Sequence, residues 1–138
     1  MIRTNDKLGK WMRRVVLLSL LLFFFTVPHT LEDFAIGQPA EAGIPAPVLA
    51  LVISIIFSLQ AIGLFWMGQG RRQGLFVQAG VGLFWPVASG VAQLPVILSG
   101  APYRSGIVSL IYVFGMIVVG LLLLTCAVIS LKAGEGKK

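Results

Sequence analysis

Apolar residues run in four long stretches separated by short polar breaks, and this pattern predicts four helices. The second stretch runs from Pro47 to Gly68, the third from Gly74 to Ser99 and the fourth from Ile107 to Leu131, and none contains a charged residue. Each meets the ~20 residues a helix needs to cross ~30 Å of hydrocarbon. Lipid offers backbone groups no water, so a spanning segment has to close its own hydrogen bonds, as a helix does. The first stretch is shorter, with an uninterrupted part from Val15 to Val27 before Pro28. That is the length of a signal-peptide core, with Arg13 and Arg14 as the basic flank and Ala40-Glu41-Ala42 as a small-residue site. The small-residue site lies too far beyond the apolar core, so the stretch reads as a retained span from about Trp11 to about His29. Arg13 and Arg14 then snorkel to the headgroups. The expected fold class is all-α, a single integral membrane domain with spans at about 11–29, 47–68, 74–99 and 107–131, an outer loop at 30–46, a basic arm at 1–10 and a tail at 132–138.

The loops set the orientation. Arg3, Lys7, Lys10, Arg13 and Arg14 lie at the amino end, Arg71 and Arg72 between spans two and three, and Lys132, Lys137 and Lys138 in the tail. With four spans these regions share one side, which then holds ten of the eleven Lys and Arg, leaving Arg104 alone opposite. Basic residues gather in cytoplasmic loops, so both termini are expected inside, across a plasma (inner) membrane. Trp11 and Trp66 fall at the inner boundary, and Phe34 and Tyr103 near the outer one, as interfacial aromatics should. The short connections at Gln69–Gln73 and Gly100–Ser105 make antiparallel hairpins of spans two to four. Pro28, Pro39, Pro45 and Pro47 predict an extended path for the longer outer loop rather than further helix.

Composition agrees. The 138 residues are 57% hydrophobic and 12% charged, with a mean hydropathy of +0.94. A soluble domain carries about 25% charged residues, so most of this surface must face lipid or other membrane subunits. The net charge of +6 does not point to nucleic acid, because the basic residues flank apolar runs instead of sharing a folded polar face. One cysteine, Cys126, excludes an intrachain disulfide, and it reads as a small buried apolar residue.

Two features carry candidate chemistry. Gln78, Gly82, Pro86, Ser89 and Gln93 recur at spacings of three and four along span three, so they share one helical face. Such a stripe is either a helix contact or a polar groove for a headgroup, quinone or small solute. Pro86 removes a backbone donor near mid-membrane and predicts a kink there. His29, Glu32 and Asp33 form H-x-x-E-D after span one and share a face on a helical turn. Imidazole with carboxylates is a divalent-metal ligand set, and His29 is the one candidate cofactor ligand. The alternative is a polar turn that caps a helix or pairs with Arg104 across the loops. A single histidine excludes a bis-histidine haem within one subunit.

Absences narrow the function. Spans two to four carry no titratable Asp, Glu, Lys, Arg or His, whereas proton-coupled transport needs such groups in the membrane. Small four-helix multidrug exporters resemble the chain in length and span count, but they use a glutamate inside the first span, and none lies between Val15 and Val27. Catalysis would need a base, a nucleophile pair or a metal cluster, so no enzyme is expected. The expectation is a non-catalytic accessory subunit of a larger membrane complex of respiratory or photosynthetic electron transport, its cofactors unknown. The alternatives are a small-solute channel or transporter component resting on the Gln78–Gln93 stripe, and metal or cofactor binding through His29.

Overall fold

The computed structural model describes residues 6–135, and every described element is helical. Arg3 of the basic arm and Lys137 and Lys138 of the tail lie outside the described residues. Helix α1 covers Asp6–Ala35, α2 Gln38–Glu41, α3 Ala46–Gly68, α4 Gln73–Leu98 and α5 Ile107–Glu135. Four of these are long and apolar enough to span a membrane: Gly9–Ala35 of α1, the whole of α3, the whole of α4 and Ile107–Gly134 of α5. The shortest, α3, has 23 residues and is about 34 Å long at 1.5 Å per residue, still enough for the hydrocarbon.

Helix α1 differs from the span read in the sequence. It continues through Pro28 to Ala35, so His29, Glu32 and Asp33 sit in its last two turns. Pro28 costs one backbone hydrogen bond, but the helix beyond it is held by side chains, including Thr30, whose hydroxyl donates to the Thr26 carbonyl at 2.8 Å. The connection between α1 and α3 also holds the single turn α2, with Pro39 near its start, where a missing N–H costs nothing.

Helices α4 and α5 form the central pair, α1 packs on α5, α3 packs on α4, and α1 and α3 barely touch. Glycine sets these distances. A Cβ on Gly82 would stand 2.7 Å from the Leu124 nitrogen and 2.9 Å from the Gly120 carbonyl, and Gly120 in turn lies under the Pro86 ring. Gly115 receives the Phe25 ring of α1, and Gly63 receives Val77 and Gln78 of α4. Lipid is as apolar as these side chains, so close van der Waals contact between helices does the work that hydrophobic burial does in water. Val15 and Leu22 of α1 and Val113, Met116, Leu123 and Ala127 of α5 are fully buried in one core cluster, which Cys126 shares.

The turn between α3 and α4 explains its own tightness. Gly70 adopts φ 72°, its N–H donates to the Met67 carbonyl at 2.9 Å, and the Arg71 N–H donates to the Trp66 carbonyl at 2.8 Å. This is a Schellman closure, which asks for a left-handed residue that glycine supplies without a steric penalty.

Candidate functional site

At the end of the bundle opposite the termini the turn between α4 and α5 folds back onto α1. Arg104 holds a left-handed φ of 39°, which is costly for a residue with a Cβ, and its guanidinium has enough partners to hold it there. It donates to an Asp33 carboxylate oxygen of α1, to Gln93 Oε1 of α4 at 3.0 Å and toward His29 Nδ1 at 3.5 Å. Gln93 Oε1 also accepts from the Tyr103 hydroxyl at 2.7 Å, and Arg104 lies 5.1 Å over the Tyr103 ring. Burial pushes the Tyr103 phenol up to about 12 from its ordinary 10.0. Glu32 accepts from the Ser109 hydroxyl of α5 and from the Ser105 N–H at 3.4 Å. Oriented with its nitrogen toward α1, the Gln38 amide donates to both Asp33 oxygens, at 3.2 and 3.1 Å.

H-x-x-E-D is therefore one wall of an inter-helix clasp. His29 is buried; its Nε2 lies 3.7 Å from Asp33 Oδ2 and its Nδ1 4.0 Å from Glu32 Oε2. Arginine can only donate, so Nδ1 is the acceptor toward Arg104 and the proton sits on Nε2. The cation between these carboxylates is Arg104, and among the described residues no three His, Cys, Asp or Glu side chains converge as a metal-holding group. The clasp joins α1, α4 and α5 through the Arg104–Asp33 ion pair and the hydrogen bonds of Gln93 and Glu32, and chemically it holds.

All five residues of the α4 stripe are buried, but they face different neighbours. Gln78 donates to the Gln60 carbonyl of α3 at 2.8 Å. Gly82 and Pro86 meet α5, Ser89 donates to Met116 Sδ at 3.8 Å, and Gln93 belongs to the clasp. The stripe is a contact surface within the chain. Sequence reasoning missed its continuation: Gln60 Nε2 donates to Ser19 O and Ser19 Oγ of α1 at 2.9 and 3.0 Å, the hydrogen bond that bridges α1 and α3 across their open seam. Gln60 is the sole amide of the second apolar stretch before its end, and that isolation was the available signal.

Two hollows flank this bridge. Toward the end that carries the termini a groove of about 550 Å³ is walled by Met12, Arg13, Val16, Leu17, Leu64, Met67 and Gly68. Toward the end opposite the termini a cavity of about 230 Å³ lies between α1, α2, α3 and α4. Its walls are mostly apolar, with His29, Asp33 and Gln93 at one end and Trp85 deeper. Among the described residues, four buried side-chain atoms have no hydrogen-bond partner: Glu32 Oε2, Gln60 Oε1, Gln78 Oε1 and Trp85 Nε1. Comparison with family models, curated proteins and solved structures finds no match to this chain.

Proposed function

We propose that this chain is a non-catalytic subunit of a larger membrane complex, of the electron-transport class, lying in the plasma (inner) membrane with both termini cytoplasmic. The observation that carries this reading is the outward side of α3. Only 11% of its most apolar window is buried, against 28–33% for the other spans. Its outward side carries the small residues Ser54, Ser58 and Ala61, all exposed and about one turn apart. Bulky side chains suit lipid, whereas a line of small ones lets another helix approach closely. The clasp adds support, since Arg104 and Asp33 are occupied with each other and Glu32 with Ser105 and Ser109. The inside placement of the termini rests on the distribution of Lys and Arg. Purification in mild detergent, with mass spectrometry and an absorbance spectrum of the same fraction, tests the proposal. Larger subunits are expected in fixed ratio, and they should be lost from a Ser54→Leu, Ser58→Leu variant that keeps its helicity. A colourless chain migrating alone would overturn it.

A second reading, a small-solute channel or transporter component, draws on the unpartnered carbonyls of Gln60 and Gln78, which can accept hydrogen bonds from a passing solute. It calls for flux through liposomes holding this chain alone, and flux unchanged by Gln60→Leu with Gln78→Leu would remove these groups from it.

A further inference from the structure

The cavity between α1, α2, α3 and α4 combines features that packing alone does not require. Trp85 is 4% exposed, and its Nε1 is the one buried side-chain donor without a partner among the described residues. A buried donor left unpaired is costly, and buried tryptophan normally finds an acceptor for its N–H. Trp85 also lines the cavity, as does His29, whose Nε2–H lies 3.7 Å from Asp33 Oδ2, beyond hydrogen-bond reach. One unpartnered donor, Trp85 Nε1, and one ring nitrogen with only a distant carboxylate, His29 Nε2, thus flank one apolar space.

Volume and charge narrow the occupant. At about 230 Å³ the space is below the ~300–1,000 Å³ that engulfs a drug-sized ligand, so it suits a head whose tail stays outside. The exit is the seam between α1 and α3, which opens toward lipid and is bridged by the Gln60–Ser19 hydrogen bond. An anionic phosphate head is disfavoured, because Arg104 is committed to Asp33 and Gln93 while the Asp33 carboxylate stands at the polar end. A neutral head with hydrogen-bond acceptors meets these demands. A planar one can stack on the aromatic rings among the lining residues, Phe34, Phe84 and Trp85. We infer that this cavity binds the head of an isoprenoid quinone, whose opposed carbonyls accept from Trp85 Nε1 and His29 Nε2 while its tail leaves between α1 and α3.

This inference extends the electron-transport reading, but its test uses the isolated chain, so it stands or falls separately from co-purification. The full chain in phosphatidylcholine nanodiscs is photolabelled with an azidoquinone and the adducts are mapped by mass spectrometry. Labelling is expected on the segments carrying His29–Phe34 and Phe84–Gln93. Excess unlabelled quinone should suppress it in a saturable way, and diacylglycerol, a neutral carbonyl lipid, should not. Trp85→Phe keeps an aromatic face, though a smaller one, and removes the N–H, and should weaken binding at least about fivefold, the worth of one hydrogen bond. Ala88→Phe fills the cavity and should abolish labelling there. Adducts scattered over lipid-facing residues, or labelling indifferent to both variants, would overturn the site. Diacylglycerol competing as well as quinone would overturn the quinone assignment in favour of a glyceride.

Discussion

The contact between α4 and α5 allows a sharp test, because one helix offers a crowded glycine and an open one two residues apart. A Cβ added at Gly82 would lie 2.7 Å from the Leu124 nitrogen and 2.9 Å from the Gly120 carbonyl, whereas at Gly80 it meets nothing within 4 Å. Ordinary carbon contacts sit at ~3.5–4.0 Å, so Gly82→Ala forces the helices apart by most of an ångström. Both obstructing atoms are backbone, and no rotamer change relieves them. Overpacking of this kind costs about 1–3 kcal/mol. Exchanging glycine for alanine in a helix gains about 0.5–1 kcal/mol at either position. That gain is common to both variants, so the difference between Gly82→Ala and Gly80→Ala isolates the clash. The assay is reversible loss of far-UV helicity as sodium dodecyl sulfate replaces a mild detergent. Gly82→Ala is expected to unfold at a lower fraction than the parent chain, and Gly80→Ala at the same or a higher one. Coincident curves for the two variants would refute the packing described for α4 on α5.

The clasp and the seam give further expectations. Arg104→Gln leaves the Asp33 carboxylate buried without its cation and should destabilise the chain by about 3–5 kcal/mol; adding Asp33→Asn should recover much of that, and equal stability of single and double variants would separate the two residues. Gln60→Leu removes the α1–α3 bridge and should cost about 1 kcal/mol, read on the same unfolding axis, with no change meaning that the bridge contributes nothing. For Tyr103 the folded phenol titrates near 12 and the unfolded one near 10.0. The folded state therefore keeps a proton that the unfolded state loses, and stability present below pH 10 should fall as pH rises from about 10 toward 12. Tyr103→Phe should remove that part of the alkaline slope, and an unchanged slope would exclude Tyr103 as its source.

The spans were legible in the sequence because the constraint behind them is one-dimensional: length without charge. The lower half of α1 was legible for the same reason, but its end was not. Pro28 reads locally as a stop, and the partners that carry the helix to Ala35 lie in a turn some seventy residues away. Arg104 was visible as the lone basic residue of its side, and its pairing with H-x-x-E-D was one of the open alternatives. The periodicity of Gln78 to Gln93 placed five residues on one face but could not divide that face between α3, α5 and the clasp, since the division depends on how helices surround α4. Gln60, Ser19 and Trp85 were missed because a single polar atom in an apolar run leaves no periodic trace.

The most direct test of the four-span architecture is single-thiol labelling in a Cys126→Ala background. Glu41→Cys lies in α2, Arg71→Cys in the turn between α3 and α4, and Gly134→Cys at the end of α5, and all three positions are exposed. An impermeant maleimide applied to intact cells is expected to modify only the thiol at position 41, with those at 71 and 134 reacting after permeabilisation. Protection of position 41 with labelling of the other two would invert the orientation and keep the spans. Reaction of positions 41 and 134 from the same side would contradict the four-span bundle itself.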